Sequence, residues 1–169
     1  MNDDPLVYFI TWTTYGTWLP GDVRGWTKRH KGSQLSRIGV ASYARSQLME
    51  DPLTLDAAQR CLVDATIRRH CAIRGWYLHT LNVRTNHIHV VVTAAEYDSQ
   101  VVMDQFKAWC TRRLQALARQ RQDDHTTRES WWTEGGSRRN VFTEEDLEAV
   151  ITYVSECQDA PKERPGRRR

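Results

Sequence analysis

Short runs rich in β-branched and aromatic residues alternate along this chain with longer stretches in which apolar residues return every three to four positions. Residues 6–13 (LVYFITWT) have the composition of a first strand. Thr14 to Asp22, broken by Gly16 and by Pro20-Gly21, reads as a loop. From about 20 to 52 no period is visible, and a connection of that length is usually functional or disordered. Thr54 or Asp56 then opens a helix with Leu55, Ala58, Leu62 and Ala65 on one face, ending near Gly75. Residues 76–83 and 86–94 predict two antiparallel strands around a turn. A second helix over about 100–120 points Val102, Phe106, Trp109, Cys110, Leu114 and Leu117 inward. After a polar linker at 121–130, residues 131–142 predict a short strand broken by Gly135-Gly136. Thr143 caps a last helix, with Asp146 three residues on in a capping-box arrangement.

The order strand, helix, strand, strand, helix, strand, helix predicts an α+β fold on the ferredoxin-like split βαβ plan. Its four-stranded sheet is mostly antiparallel, with helices on one face and a C-terminal helix that carries Tyr153. The 169 residues suit a single domain over 1–160, followed by a basic tail at 161–169 expected to be disordered. No apolar run reaches membrane-spanning length, and Asn2-Asp3-Asp4-Pro5 is unlike a signal peptide. The four cysteines are scattered without a Cys-x-x-Cys pair, which points to reduced thiols in the cytoplasm and away from a cysteine zinc site. A net charge of +3 permits a nucleic-acid partner without demanding one. The arginines are clustered (Arg112, Arg113, Arg119, Arg121, Arg138, Arg139 and the tail), whereas acids dominate 144–148. Any one of these arginines reads first as part of a solvated face or a floppy terminus, and a shared phosphate-facing role becomes credible only with a site nearby.

The chemistry concentrates at His87-Ile88-His89. Residues two apart on a strand share a face, with α-carbons roughly 7 Å apart, so both imidazoles can meet one cation while Ile88 enters the core. In the sheet predicted above the pair lies on a middle strand and faces away from the first two helices. On the last helix, Leu147, Val150, Ile151 and Val154 make an apolar stripe. Tyr153 falls about 110° from its centre, on the flank, where its hydroxyl can face a cleft beside the sheet. Glu156, Cys157 and Gln158 follow closely enough to add a third metal ligand, and the spacing leaves the choice among them open. Trp12, Tyr15, Trp18 and Trp26 admit two uses, stacking on unpaired bases or packing.

Four landmarks in this order resemble the single-tyrosine HUH transposases, in the branch of the REP-associated tyrosine transposases. They are residues 14–22 (TYGTWLPGD), Asn86-His87-Ile88-His89, Gly135-Gly136-Ser137-Arg138, and Tyr153-Val154. The resemblance spans roughly residues 5–160, which it makes one catalytic domain. It implies metal-dependent cleavage and transfer of single-stranded DNA beside a hairpin, through a 5′-phosphotyrosine and a free 3′-hydroxyl. Tyr153 would be the nucleophile, with His87 and His89 as metal ligands. Relatives place a Gln or Asn four residues after the tyrosine as third ligand. That position holds Cys157 here, so the neighbouring Gln158 is favoured, delivered by a frayed or tightened last turn. Mg or Mn is the metal so implied, although two imidazoles and an amide are soft enough to suit Zn, Ni or Mn better than Mg. Arg138, Arg139, Arg112 and Arg113 are the candidate DNA-contacting cations. Either a homodimer or a monomer is compatible with one tyrosine per chain. Two other readings stand beside this one. A non-catalytic hairpin-binding module would hold nucleic acid without cutting it. A histidine-triad-like nucleotide hydrolase would need a third alternating His, where Val91 stands.

Overall fold

The structure, a computed structural model, describes residues 7–22, 26–28, 32–122 and 128–156, with side chains omitted for 26–28 and 32–33. Strands β1 (Val7–Thr13), β4 (Tyr77–Val83), β5 (His87–Thr93) and β6 (Ser137–Val141) form one sheet in the order β4-β5-β1-β6. Every neighbouring pair in it is antiparallel. Helices α2 (Ala57–Arg74) and α3 (Ser99–Arg121) cover one face, where Ile10, Trp12, Ile88, Val90 and Val92 pack with Val63, Ile67, Phe106 and Leu114. Helix α4 (Glu144–Glu156) takes the opposite face, closing Val150 and Val154 over Val7, Val91 and Val141. The β5 run from Ile88 to Val92 is buried residue by residue because helices cover both of its sides.

The segment from 20 to 52, which shows no period, holds a short hairpin, β2 (Trp26–Lys28) with β3 (Gly32–Gln34), and helix α1 (Ile38–Ser46). None of the α1 residues is buried and no side chain caps its start, so it has neither the apolar stripe nor the cap by which a helix is recognised. Of the two starts expected for α2, Asp56 is the one used. Its carboxylate accepts from the Gln59 N–H (2.8 Å), and the Gln59 side chain accepts from the Asp56 N–H (2.9 Å). The buried residues of α2 are Gln59, Val63, Ile67, His70 and Cys71; of the expected stripe, Leu55 just before the helix is buried and Leu62 packs against the core, whereas Ala58 and Ala65 face solvent. The small alanines gain little from burial, and the larger β-branched Val63 and Ile67 take the core side. On α3, Val102, Phe106, Cys110 and Leu114 are buried as expected, joined by Met103. Trp109 is 43% exposed, under the Arg112 guanidinium at 4.9 Å. Trp12 is a core residue and Trp18 lies at the surface, whereas the side chain of Trp26 is outside the described set.

The Gly135-Gly136 turn leads into β6 and is held from below. The Lys107 ammonium donates to Thr133 O (3.0 Å) and to Gly135 O. A Cβ on Gly136 would stand 2.7 Å from the Thr11 carbonyl oxygen and 2.6 Å from Met103 Sδ. The methionine can yield, but the Thr11 backbone is locked between two strands. Gly136→Ala is therefore expected to cost about 1–3 kcal/mol, read as a drop of several degrees in thermal midpoint.

His70 on α2 is 6% exposed and sits among Trp76, Phe106 and Trp109. Burial lowers its pKa from the ordinary 6.5 more than the hydrogen bond with Gln105 raises it, and Arg74 lowers it further. As pH falls below about 6.5 the unfolded chain takes up this proton before the native state does, so stability declines with acidification. Thermal midpoints of His70→Gln are expected to fall less between pH 7 and pH 5 than those of the unsubstituted protein.

Candidate active site

The site is assembled from β1, β5 and α4. In the β1–β5 ladder Thr11 stands opposite His89 and Thr13 opposite His87. Directly paired residues share a face, so both imidazoles emerge beside β1 on the side away from α2 and α3. Their ring centroids are 4.8 Å apart at 83°. His89 is held by Thr11, with Oγ1 2.7 Å from Nδ1, and by Phe9, whose ring stacks at 5.7 Å. The His87 Nδ1 lies 2.7 Å from Asn86 Oδ1. With Nδ1 engaged in both rings, Nε2 is the nitrogen that each could offer to a metal.

Beneath this pair the turn between β4 and β5 is braced from outside the sheet. Thr14 is fully buried, and its N–H donates to Asn86 O (2.9 Å). The Thr14 hydroxyl reaches Leu53 O at 2.6 Å, and the Thr17 hydroxyl reaches Thr14 O at 2.8 Å. The Thr-Tyr-Gly-Thr stretch singled out in the sequence is thus a clamp on the turn through which Asn86 leads into β5 at His87.

Helix α4 brings Tyr153 to the same place. Thr143 Oγ1 accepts from the Asp146 N–H (3.1 Å) at its start. Near its end, Asn82 on β4 donates to Val154 O (3.0 Å) and Thr80 pairs with Ser155 (3.3 Å). Asn82 stands opposite His89 in the β4–β5 ladder, so the strand that flanks the imidazole also sets the rotation of the helix. The Tyr153 ring meets His89 edge-on with centroids 6.1 Å apart, and Phe9 at 6.2 Å. It is 39% exposed, on the flank of the Val150–Val154 stripe where the helical spacing puts it.

Burial drives the His89 pKa down to about 4, with smaller contributions from the proximity of His87 and the Arg84 guanidinium. The imidazole is neutral at pH 7, the form that can ligate a metal. Val91, the next residue on this face, is buried under α4, which leaves no place for a third alternating histidine. Among the described residues no group of three His, Cys, Asp or Glu side chains comes together, so Glu156 does not complete the pair. Gln158, Cys157 and the 161–169 tail lie outside the described residues.

The four candidate arginines separate. Arg139 is paired with Phe9 in the β1–β6 ladder and so shares the site's face, where its guanidinium is 3.6 Å from the Asp146 carboxylate. Arg138, paired with Ile10, belongs to the opposite face. Arg112 and Arg113 lie on α3, in the layer beyond the sheet, and are not brought to Tyr153. Thr11, Asn86, Asn82 and Phe9 are the site residues that sequence reasoning missed. Only Asn86, beside the His pair, carried a visible signal.

The family model described as "Transposase IS200 like" matches residues 44–157, two thirds of the chain and all of the His and Tyr elements. The protein belongs to the IS200-like transposase family. No curated protein matches this transposase-family chain. Among solved structures it is similar to a REP-associated tyrosine transposase bound to a REP hairpin, with a TM-score of 0.52 and 11% identity over 89% of this chain. That likeness establishes the shared fold. The chain spans 65% of that relative's length. A transposase candidate from Deinococcus radiodurans aligns with a TM-score of 0.49 at 14% identity, over 89% of this chain and 88% of the other. Among the described residues of this IS200-like chain, no helix is long and apolar enough to cross a membrane.

Proposed function

We propose that this transposase-family protein, of the REP-associated type, cleaves and transfers single-stranded DNA beside a hairpin, with Tyr153 as nucleophile. The observation that carries the reading is the meeting of Tyr153 from α4 with His87 and His89 from β5 on one sheet face. The Tyr153 oxygen attacks the scissile phosphorus and loses its proton to solvent. The bond from phosphorus to the 3′-oxygen breaks and that oxygen takes up a proton from solvent, giving a 5′-phosphotyrosine and a free 3′-hydroxyl. Attack by another 3′-hydroxyl on that phosphotyrosine completes the transfer and releases the tyrosine.

A divalent metal, Mg or Mn, would be held by His87, His89 and Gln158. When bound, it supplies charge stabilisation at the phosphate and at the departing 3′-oxygen. The two engaged Nδ1 atoms and the neutral state of His89 fit a metal-binding pair. Phe9 and His89 hold the tyrosine ring from one side while α4 sets its height above the sheet. Arg139 is the candidate cation nearest the phosphate path, and Arg138, Arg112 and Arg113 would contact more distant backbone.

The test is covalent trapping. Labelled hairpin DNAs with single-stranded flanks are incubated with the protein and Mn²⁺ or Mg²⁺, then denatured. A metal-dependent adduct of protein and DNA is the expected result. Hairpin binding without any adduct across a broad pool would make the protein a binding module instead.

A further inference from the structure

We propose that Thr11 and Asn86 are positioning residues that hold His89 and His87 in the same tautomer, with the proton on Nδ1, and so present both Nε2 lone pairs to the cation. The assignment rests on the metal-dependent reading given above. A neutral imidazole carries one N–H and one lone pair, and a ligand nitrogen must be the one with the lone pair. Asn86 Oδ1 can only accept, so the His87 Nδ1 at 2.7 Å donates to it. The Thr11 hydroxyl can donate or accept at 2.7 Å from His89 Nδ1, and it accepts when His89 follows the same tautomer.

Both partners are anchored by the fold. Thr11 is in mid-strand, opposite His89 on one side and Ser137 on the other. Asn86 is tied through its carbonyl to Thr14, whose hydroxyl is fastened to Leu53. A 180° flip of either ring would set a C–H against the acceptor and lose the bond. The clamp around Thr14 and the central position of β1 thereby act on the metal pair through one side-chain oxygen each.

The experiment uses the full chain, ¹⁵N-labelled and metal-free at pH 7.5, with imidazole tautomers read from long-range ¹⁵N–¹H correlations and Mn²⁺ affinity from electron paramagnetic resonance. Both histidines are expected as the Nδ1–H tautomer. Thr11→Val and Asn86→Ala should weaken Mn²⁺ binding about 10–100-fold and mix the tautomers of their own histidine, with the rest of the spectrum folded. Thr11→Ser, which keeps the hydroxyl, should stay within about threefold of the unsubstituted protein. Asn86→Asp, which keeps the acceptor oxygen, should bind at least as tightly. An Nε2–H tautomer at either residue overturns the assignment, as does unchanged Mn²⁺ affinity in the Val and Ala variants while the unsubstituted protein binds. Unsubstituted protein with both tautomers as expected and no Mn²⁺ binding overturns the metal reading, and this assignment with it.

Discussion

Tyr153→Phe is expected to abolish the covalent DNA adduct and to lower strand cleavage by at least about a thousandfold, with hairpin affinity held within about threefold. The substitution removes one hydroxyl and leaves the ring that packs edge-on to His89 and Phe9. Val150 and Val154 still close on the sheet, and the bonds from Asn82 to Val154 O and from Thr80 to Ser155 do not involve the lost atom. A change in fold would therefore not account for the loss, and an unaltered thermal midpoint checks this. Tyr77→Phe is the matching control. Tyr77 is more exposed, and its ring is edge-on to a different histidine, His79, at 4.7 Å. Its variant is expected to cleave as the parent does. An adduct that survives Tyr153→Phe would move the nucleophile elsewhere and remove the main support for the proposed reaction.

Much of this geometry was legible in the sequence because it is local. The His-Ile-His spacing, read with strand alternation, places two imidazoles on one face and Ile88 in the core, where it is fully buried. The Leu147, Val150, Ile151 and Val154 stripe puts Tyr153 on the flank of its helix, and the ring is half out of the protein there. What periodicity does not encode is which face of the sheet a helix takes. The docking of α4 over β5 depends on Val7, Val91 and Val141, brought together from three separate strands. Thr11 was hidden for the same reason: its bond to His89 spans 78 positions and exists only through the β1–β5 register. On α2 the two leucines of the expected stripe reach the core and the two alanines do not, because alanines count as apolar in a pattern while contributing little to burial. Helix α1 escaped because nothing in it is buried.

His87→Ala and His89→Ala are each expected to lower cleavage by at least about a hundredfold, and chelation of the metal should do the same to the unsubstituted protein. Their structural consequences should differ. His89 is 7% exposed, bonded to Thr11 and stacked on Phe9, so its truncation opens a gap beside the tyrosine and costs about 2 kcal/mol of stability. His87 is only half buried and its loss should leave the thermal midpoint nearly unchanged. The pair is thus separable by stability and inseparable by chemistry. Added Mn²⁺ should raise the thermal midpoint of the parent, since a ligand that binds only the native state stabilises it, and should fail to do so in either variant. The double variant should cleave no more slowly than the worse single one, because two ligands of one cation act as a unit and the first removal already forfeits the site. Independent, multiplying losses in the double variant would mean that the two histidines serve separate steps, and the shared metal would have to be abandoned.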